Sequence, residues 1–378
     1  MSETEYFGDA IERLEWDERK EEDTPFKRIR QMTRRTALTG GAAGVAAMVI
    51  EACGGKSTTP KAGAAGGSAA AGIFGSSQSY KFTLVNHVTT NTFFTPTQSG
   101  AADACKLFNC SYTWTGSQTS NVGEMVNAFN SAMSAGVNGI GVSLVDLHAF
   151  NAPVERALAS GIPVVAYNAD AAGNARLAYI GQDLFLSGQE MGQHIANLLP
   201  GGGDVALFIA TPGSLNIQPR INGALDTLKK YPAIKPHVVA TGAAIPQELT
   251  TIDAYAVGHP STKGYFAVDA GSTQSLAQTI QKHNLRAKGV KGGGYDLTPI
   301  TEQLLSAGQI DFTIDQQPYL QGFFPILELY LYNVTQKLTG IADVNTGLKF
   351  LDKTTIQPYV STKSRYEGTG TAVGVQKA

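Results

Sequence analysis

The sequence predicts an α/β protein of two lobes, each wound on both faces of a parallel sheet. From Lys81 onward short β-branched runs alternate with helical patterns, the signature of βαβ units. Of the 378 residues, about 300 remain for folding once the atypical first 80 are set aside, which suits two domains better than one. The strand-like runs are also numerous enough for two sheets of about five strands each.

Taken in order, the strands are expected at Phe82 to Val85, Tyr112 to Thr115, Gly139 to Val142 and Ile162 to Tyr167. The second half continues with Val205 to Ile209, His237 to Ala240, Tyr265 to Val268, Gly289 to Gly293 and Ile310 to Ile314. Between them lie helices such as Val122 to Ser134, Leu184 to Leu199, Ile217 to Lys230, Ser272 to His283 and Tyr319 to Leu338. Gly136 and Gly161 mark helix exits, where glycine takes the left-handed conformation before the next strand. The run Gly201-Gly202-Gly203 does the same. It is not a phosphate loop, because the Lys-Ser/Thr that grips phosphate and magnesium is absent.

Apolar residues make up 43% and charged residues 16%, the composition of a soluble globular protein with a sizeable core. No stretch after residue 55 is apolar enough to span a bilayer. The formal charge is −2, and beyond residue 52 basic and acidic residues number 21 and 20. That balance argues against nucleic acid as a partner, since such binders gather a basic excess on one face. Nor is there a basic amphipathic helix of the kind that lies on membranes.

Residues 27 to 53 read as an export signal. Lys27, Arg28 and Arg30 lead into Thr33-Arg34-Arg35-Thr36-Ala37-Leu38, and a small-residue apolar run follows from Gly40 to Ile50. Paired arginines before a short apolar core point to the twin-arginine route. The run ends in Ile50-Glu51-Ala52-Cys53, similar to a lipoprotein box, which makes Cys53 the expected site of lipid attachment. Glu51 stands where a small residue is usual. Ala-Gly-rich chain after Cys53 cannot bury enough apolar surface to fold, and reads as a flexible tether. Cys105 and Cys110 would then lie where disulfides persist, and either a bond between them or two free thiols is compatible with the spacing. Neither suggests metal, and no metal or other cofactor is expected.

Open parallel sheets bind ligands outside the carboxyl ends of their strands. The residues found there are His87 with Asn91, then Ser143, Asn168, Asp269, Asp296 and Gln316, nearly all polar. Phe93 and Phe94 share the loop after the first strand, and Arg220 opens a helix of the second half. Planar Asn, Asp, Gln and Arg groups can contact two neighbouring hydroxyls, and aromatic faces pack on the C–H faces of a sugar ring. The set suits a small neutral sugar or polyol. Each Asn or Asp can equally be the cap of the helix that follows it.

At this point the chain resembles the periplasmic sugar-binding proteins of ABC transporters, in particular the ribose-binding type. The motifs are Asn91-Thr92-Phe93-Phe94, Gly161-Ile162-Pro163-Val164-Val165, Arg220-Ile221-Asn222-Gly223, Gly294-Tyr295-Asp296 and Thr313-Ile314-Asp315-Gln316-Gln317-Pro318. The resemblance implies the type I periplasmic binding protein fold, two doubly wound lobes joined by a three-segment hinge. It divides the chain into a signal region with an acidic leader (1–52), a tether (53–79), a first lobe (80–181 plus 317–347), a second lobe (182–316 plus 348–361) and a polar tail (362–378). It further implies that Asn91, Phe93 and Phe94 hold and stack the ligand from the first lobe, while Arg220, Asp296 and Gln316 bind hydroxyls from the second lobe and the hinge. Asp269 stands where the ribose pattern has Asn, Asn168-Ala169 replaces Asp-Arg, and His87 replaces a small hydroxyl residue. The sugar is therefore not expected to be ribose.

The implied partner is an ABC permease in the membrane, with the protein acting as a monomer outside the cytoplasm. A receptor that presents its ligand to a sensor kinase or chemoreceptor would share these features. An enzyme is the main rival, with Asp269 and Asp296 as an acid/base pair, but no serine elbow, His-Glu-x-x-His pair or phosphate loop accompanies them. A LacI-type transcription factor would need a helix-turn-helix where this chain has a signal and tether.

Overall fold

The computed structural model describes residues 78–335 and 341–362. The signal region, Cys53, the tether up to residue 77 and residues 363–378 of the tail lie outside the described residues.

The first sheet takes β1 (Tyr80–Asn86), β2 (Cys110–Gly116), β3 (Gly139–Val142), β4 (Val164–Tyr167), β5 (Tyr179–Gly181) and β11 (Val344–Asn345), in the order β11-β5-β4-β3-β1-β2. All its pairings are parallel. The second sheet takes β6 (Gly203–Ile209), β7 (Ile234–Ala240), β8 (Gly264–Ala267), β9 (Lys291–Tyr295), β10 (Phe312–Asp315) and β12 (Lys349–Leu351), in the order β12-β10-β9-β8-β6-β7. Only its edge strand β12 runs antiparallel. The central strands β3, β4, β8 and β10 are buried at every position. That is why they read as continuous apolar runs, the mark of a sheet covered on both faces.

The helices of the first lobe are α1 (Thr95–Phe108), α2 (Val122–Ser134) and α3 (Asn151–Ala159). Those of the second are α4 (Leu184–Leu198), α5 (Gln218–Leu228), α6 (Ile245–Gly258), α7 (Ala270–Lys282) and α8 (Pro299–Ser306). Next, α9 (Leu320–Val334) returns to the first lobe and packs on α1, and α10 (Gln357–Thr362) closes the described chain. Two helix pairs approach so closely that only glycine fits between them. A Cβ on Gly322 would collide with the carbonyl of Thr97, and one on Gly188 with the carbonyl of Arg220. The second contact sets the height of Arg220 above the sheet.

The chain crosses between the sheets three times, after Gly181, after Asp315 and after Asn345. Each sheet has six strands, one more than expected. The strands missing from the sequence reading (β5, β11 and β12) are only two or three residues long and lie beside the crossings, too short to show a period. Strand β9 starts two residues later than expected, because Leu285–Lys288 forms a 3-10 turn and Gly289 leaves it at φ 79. Helix α9 ends at Val334, short of the expected Leu338, though residues 336–340 lie outside the described residues. Cys105, in the last turn of α1, and Cys110, which opens β2, are free thiols in this structure. They adjoin closely enough that a hydrogen bond with Cys110, together with burial, pushes the Cys105 thiol well above its ordinary pKa.

Candidate functional site

In the first sheet β1 has β2 on one side and β3 on the other; in the second, β6 stands likewise between β7 and β8. At such a switch point the loops that leave neighbouring strands diverge and open a crevice. The two crevices face each other, and between them lies a cavity of about 320 Å³, mouth included.

Of the ten residues expected at the site, nine line this cavity: His87, Asn91, Phe93, Phe94 and Asn168 from the first lobe, Arg220, Asp269 and Asp296 from the second, and Gln316 at a crossing. Ser143 does not. The cavity also takes in Asn216, Ile217 and Ala270, which the sequence reading did not single out.

The apolar wall comes from a local device. The Oδ1 of Asn91 accepts the Phe93 N–H at 3.0 Å and starts a 3-10 turn at Thr92–Phe94, which sets two rings side by side. Phe93 and Phe94 meet edge to face at 4.7 Å and form one apolar cluster with Ala270 of the second lobe. Trp114 backs Phe94 at 5.8 Å, its indole N–H donating to the Thr89 carbonyl.

The polar wall is centred on Arg220, which is 2% exposed. Its Nη1 donates to the Val268 carbonyl at 2.8 Å, its Nη2 to Gln182 at 3.4 Å, and its guanidinium lies 4.1 Å over the Tyr295 ring. Its Nε has no partner. Asp296, held at φ 74, accepts from Gln316 Nε2 at 2.7 Å through Oδ1, which leaves Oδ2 available. Burial pushes its carboxyl up to about 7 against the pull of Arg220. Asn168, at φ 64, donates to Gln321 Oε1 at 3.0 Å, while its own buried Oδ1 accepts nothing. Gln321 also donates to Gln316 at 3.1 Å, so a ladder of amides from Asn168 to Asp296 crosses the hinge. Gln321 sits within α9, where no strand-end rule points.

Three expected ligand contacts have other employment. Asp269 caps α7: Oδ1 accepts the Ser272 N–H at 2.8 Å and Oδ2 the Ala210 N–H at 2.9 Å. Its carboxyl is pushed up by burial all the same. Behind it Glu248, on α6, is 3% exposed with Oε2 unpartnered, and burial beside Asp269 raises its carboxyl well above the ordinary range. Ser143 lies behind His87, 3.1 Å from its Nδ1. His87 in turn has Asn216 Nδ2 at 3.1 Å from its Nε2, so both ring nitrogens are already engaged. That last contact joins the two lobes, as does the Leu215 N–H donating to the Val145 carbonyl at 2.9 Å. The cleft is shut.

This cavity is not the largest. A groove of about 1040 Å³ runs beside the hinge between Tyr179, Phe185 and Asp343. Its charged groups are occupied, however: Arg176 pairs with Asp170 and Asp343, and Asp183 caps α4. Two residues with buried, unpartnered atoms, Arg220 and Asn168, line the smaller site. Among the described residues, no cluster of three or more His, Cys, Asp or Glu could hold a metal ion.

Comparison with known proteins agrees with the geometry. The profile of the periplasmic binding protein domain family matches residues 82–368. A xylose/arabinose-binding protein, XylF, of Sulfolobus acidocaldarius is 48% identical over 307 residues, covering 78% of this chain and 76% of its own. Among solved structures, an ABC transporter solute-binding protein of Burkholderia graminis in complex with D-arabinose has a TM-score of 0.69 at 24% identity, covering 73% of this chain and 96% of its own. A carbohydrate transporter protein of Acidothermus cellulolyticus in complex with myo-inositol gives 0.67 at 26% identity, covering 75% and 98%.

Proposed function

The chain belongs to the periplasmic binding protein domain family, and on that premise we propose that it captures a small neutral sugar between its lobes and delivers it to an ABC importer. The observation that carries this reading is the set of unsatisfied groups in the shut cleft. Arg220 Nε and Asn168 Oδ1 are buried without partners, and the free Oδ2 of Asp296 shares their cavity. A buried polar atom left unpaired costs about 1–3 kcal/mol, and ligand hydroxyls, which donate and accept, can satisfy all three at once. Phe93 and Phe94 offer the apolar face that a pyranose needs.

Within the sugars, a pentose such as xylose or arabinose fits best. The 48% identity to a xylose/arabinose-binding relative favours it. Hydrolysis by an Asp269/Asp296 pair is disfavoured because both oxygens of Asp269 are bound to backbone N–H groups. The protein works outside the cytoplasm, carried there by the twin-arginine signal and held to the membrane through Cys53 and its tether. Ligand contacts from both lobes exist together only when the cleft is shut, so binding shifts the population toward the closed form that a permease can read.

The test is thermal unfolding of the purified protein with a panel of pentoses, hexoses, polyols, nucleosides and amino acids. Ligand at a hundred times its Kd stabilises by about 2.7 kcal/mol, which raises Tm by roughly 5 °C or more for a domain pair of this size. D-xylose or L-arabinose is expected to give that rise. A rise with amino acids or nucleosides and none with any sugar would refute the assignment.

A further inference from the structure

A line of hydrogen bonds crosses the shut cleft: Ser143 on the first lobe, His87, then Asn216 and Ser214 on the second. We propose that His87 is a positioning residue whose neutral imidazole clasps the two lobes through Asn216, so that closing on the sugar expels a proton. The inference rests on the reading above that a sugar closes the cleft, and adds a proton to that equilibrium.

The arrangement matches the neutral ring. The Ser214 hydroxyl donates to Asn216 Oδ1 at 2.6 Å, which orients the amide so that its Nδ2 faces His87 Nε2 at 3.1 Å. An NH₂ group only donates, so Nε2 must accept, and the ring's one proton sits on Nδ1, donated to Ser143 Oγ. A second proton on Nε2 would set donor against donor. His87 is 6% exposed, and Phe94 packs edge-on against its ring at 5.3 Å. From the second lobe the charged groups that line the same cavity are Arg220, Asp269 and Asp296. On its own lobe Glu124 and Asp146, beside the loops that flank His87, are already engaged, Glu124 with the Ser117 hydroxyl and Asp146 with the N–H groups of His148 and Ala149. None of these carboxylates contacts the ring. Burial, completed on the Nε2 side by Asn216, lowers its pKa to about 4 in the shut cleft.

Opening the lobes withdraws Asn216 and lets water reach Nε2, which returns the group toward its ordinary value of about 6.5. The sign follows from the two states. Between roughly pH 4 and 6.5 the open form carries a proton on His87 and the closed form does not, so closure releases it, and acid favours opening. Asp296 and Asp269 act in the opposite sense, since burial raises both in the closed cleft and they take up protons on closure. The contribution of His87 must therefore be read as a difference between proteins at one pH.

The experiment is calorimetric titration with the sugar that stabilises the protein, near pH 5 and at pH 7.5, in buffers of different ionisation enthalpy. The slope against that enthalpy counts the protons exchanged. Near pH 5 the wild type is expected to release up to about one proton more per sugar than His87→Gln, whose amide can still accept from Asn216 and donate to Ser143. Its affinity, relative to that variant, should fall by up to about tenfold per pH unit between 6.5 and 4. Asn216→Ala removes the donor from the far lobe without touching His87, and should shrink the released proton in the same way, which gives a second reading if the glutamine variant folds poorly. Equal proton counts in all three, with sugar bound, overturn the clasp and leave sugar capture standing. Absence of binding heat with any sugar at pH 7.5 overturns both.

Discussion

Asp296→Ala is expected to abolish detectable sugar binding while leaving the protein folded. Asp296 joins the second-lobe wall to the hinge through Gln316 and offers the free Oδ2 to the cavity. Truncating one partner of a buried charged hydrogen bond costs about 2–5 kcal/mol, a loss of roughly thirtyfold to several thousandfold in affinity. The free protein should hardly notice. Burial raises this carboxyl to about 7, so the unliganded cleft holds it at a cost, and its removal offsets the strain of an alanine at φ 74, about 1 kcal/mol. Asp296→Asn keeps a residue tolerant of that backbone conformation and is the control for shape. Circular dichroism and thermal unfolding check the fold, and calorimetric titration checks the affinity. An unchanged Kd would remove Asp296 from the site.

Arg220→Lys is expected to weaken binding by roughly a hundredfold although the positive charge is kept. The guanidinium makes three contacts that an ammonium cannot make together: the bond to Val268, the bond to Gln182 and the stack on Tyr295. It also holds Nε ready for a ligand oxygen. The backbone beneath it is fixed by Gly188, where any side chain would strike the Arg220 carbonyl, so the shorter reach of lysine cannot be recovered by a shift of the helix. Calorimetry at two salt concentrations separates geometry from charge. A loss that persists at high salt is the expected result, and a lysine variant with wild-type affinity would show that charge alone suffices.

Much of the fold was legible because central parallel strands and amphipathic helices carry strong patterns. Strand β3 and helix α2 occur at the residues the sequence predicts. The hinge strands β5, β11 and β12 were not legible, since two or three residues show no period and their pairing is set by where the crossings bring them. The site divides in the same way. The rule that ligands sit at strand ends, with the loop after the first strand, located eight residues on one cavity, and the helix opening at Arg220 supplied a ninth. Applied also to the loop after β6, it would have reached Asn216. It could not tell a cap from a ligand contact: Asp269 turns both oxygens on backbone N–H groups, whereas Asn168 leaves its buried Oδ1 empty. Asn and Asp carry the same local signal in either role, and only the closure of one lobe on the other decides which is which. His87 and Ser143 also stand at strand ends, and their hydrogen bonds run to each other and from His87 to Asn216.

The most direct test of capture between the lobes is a crystal structure of the protein grown with saturating D-xylose or L-arabinose. One sugar ring is expected between Phe93 and Phe94 on one side and Arg220 and Asp296 on the other, with hydroxyl oxygens at hydrogen-bond distance from Arg220 Nε, Asn168 Oδ1 and Asp296 Oδ2. A sugar bound in the hinge groove beside Phe185, or a cleft that stays empty at saturation, would contradict it.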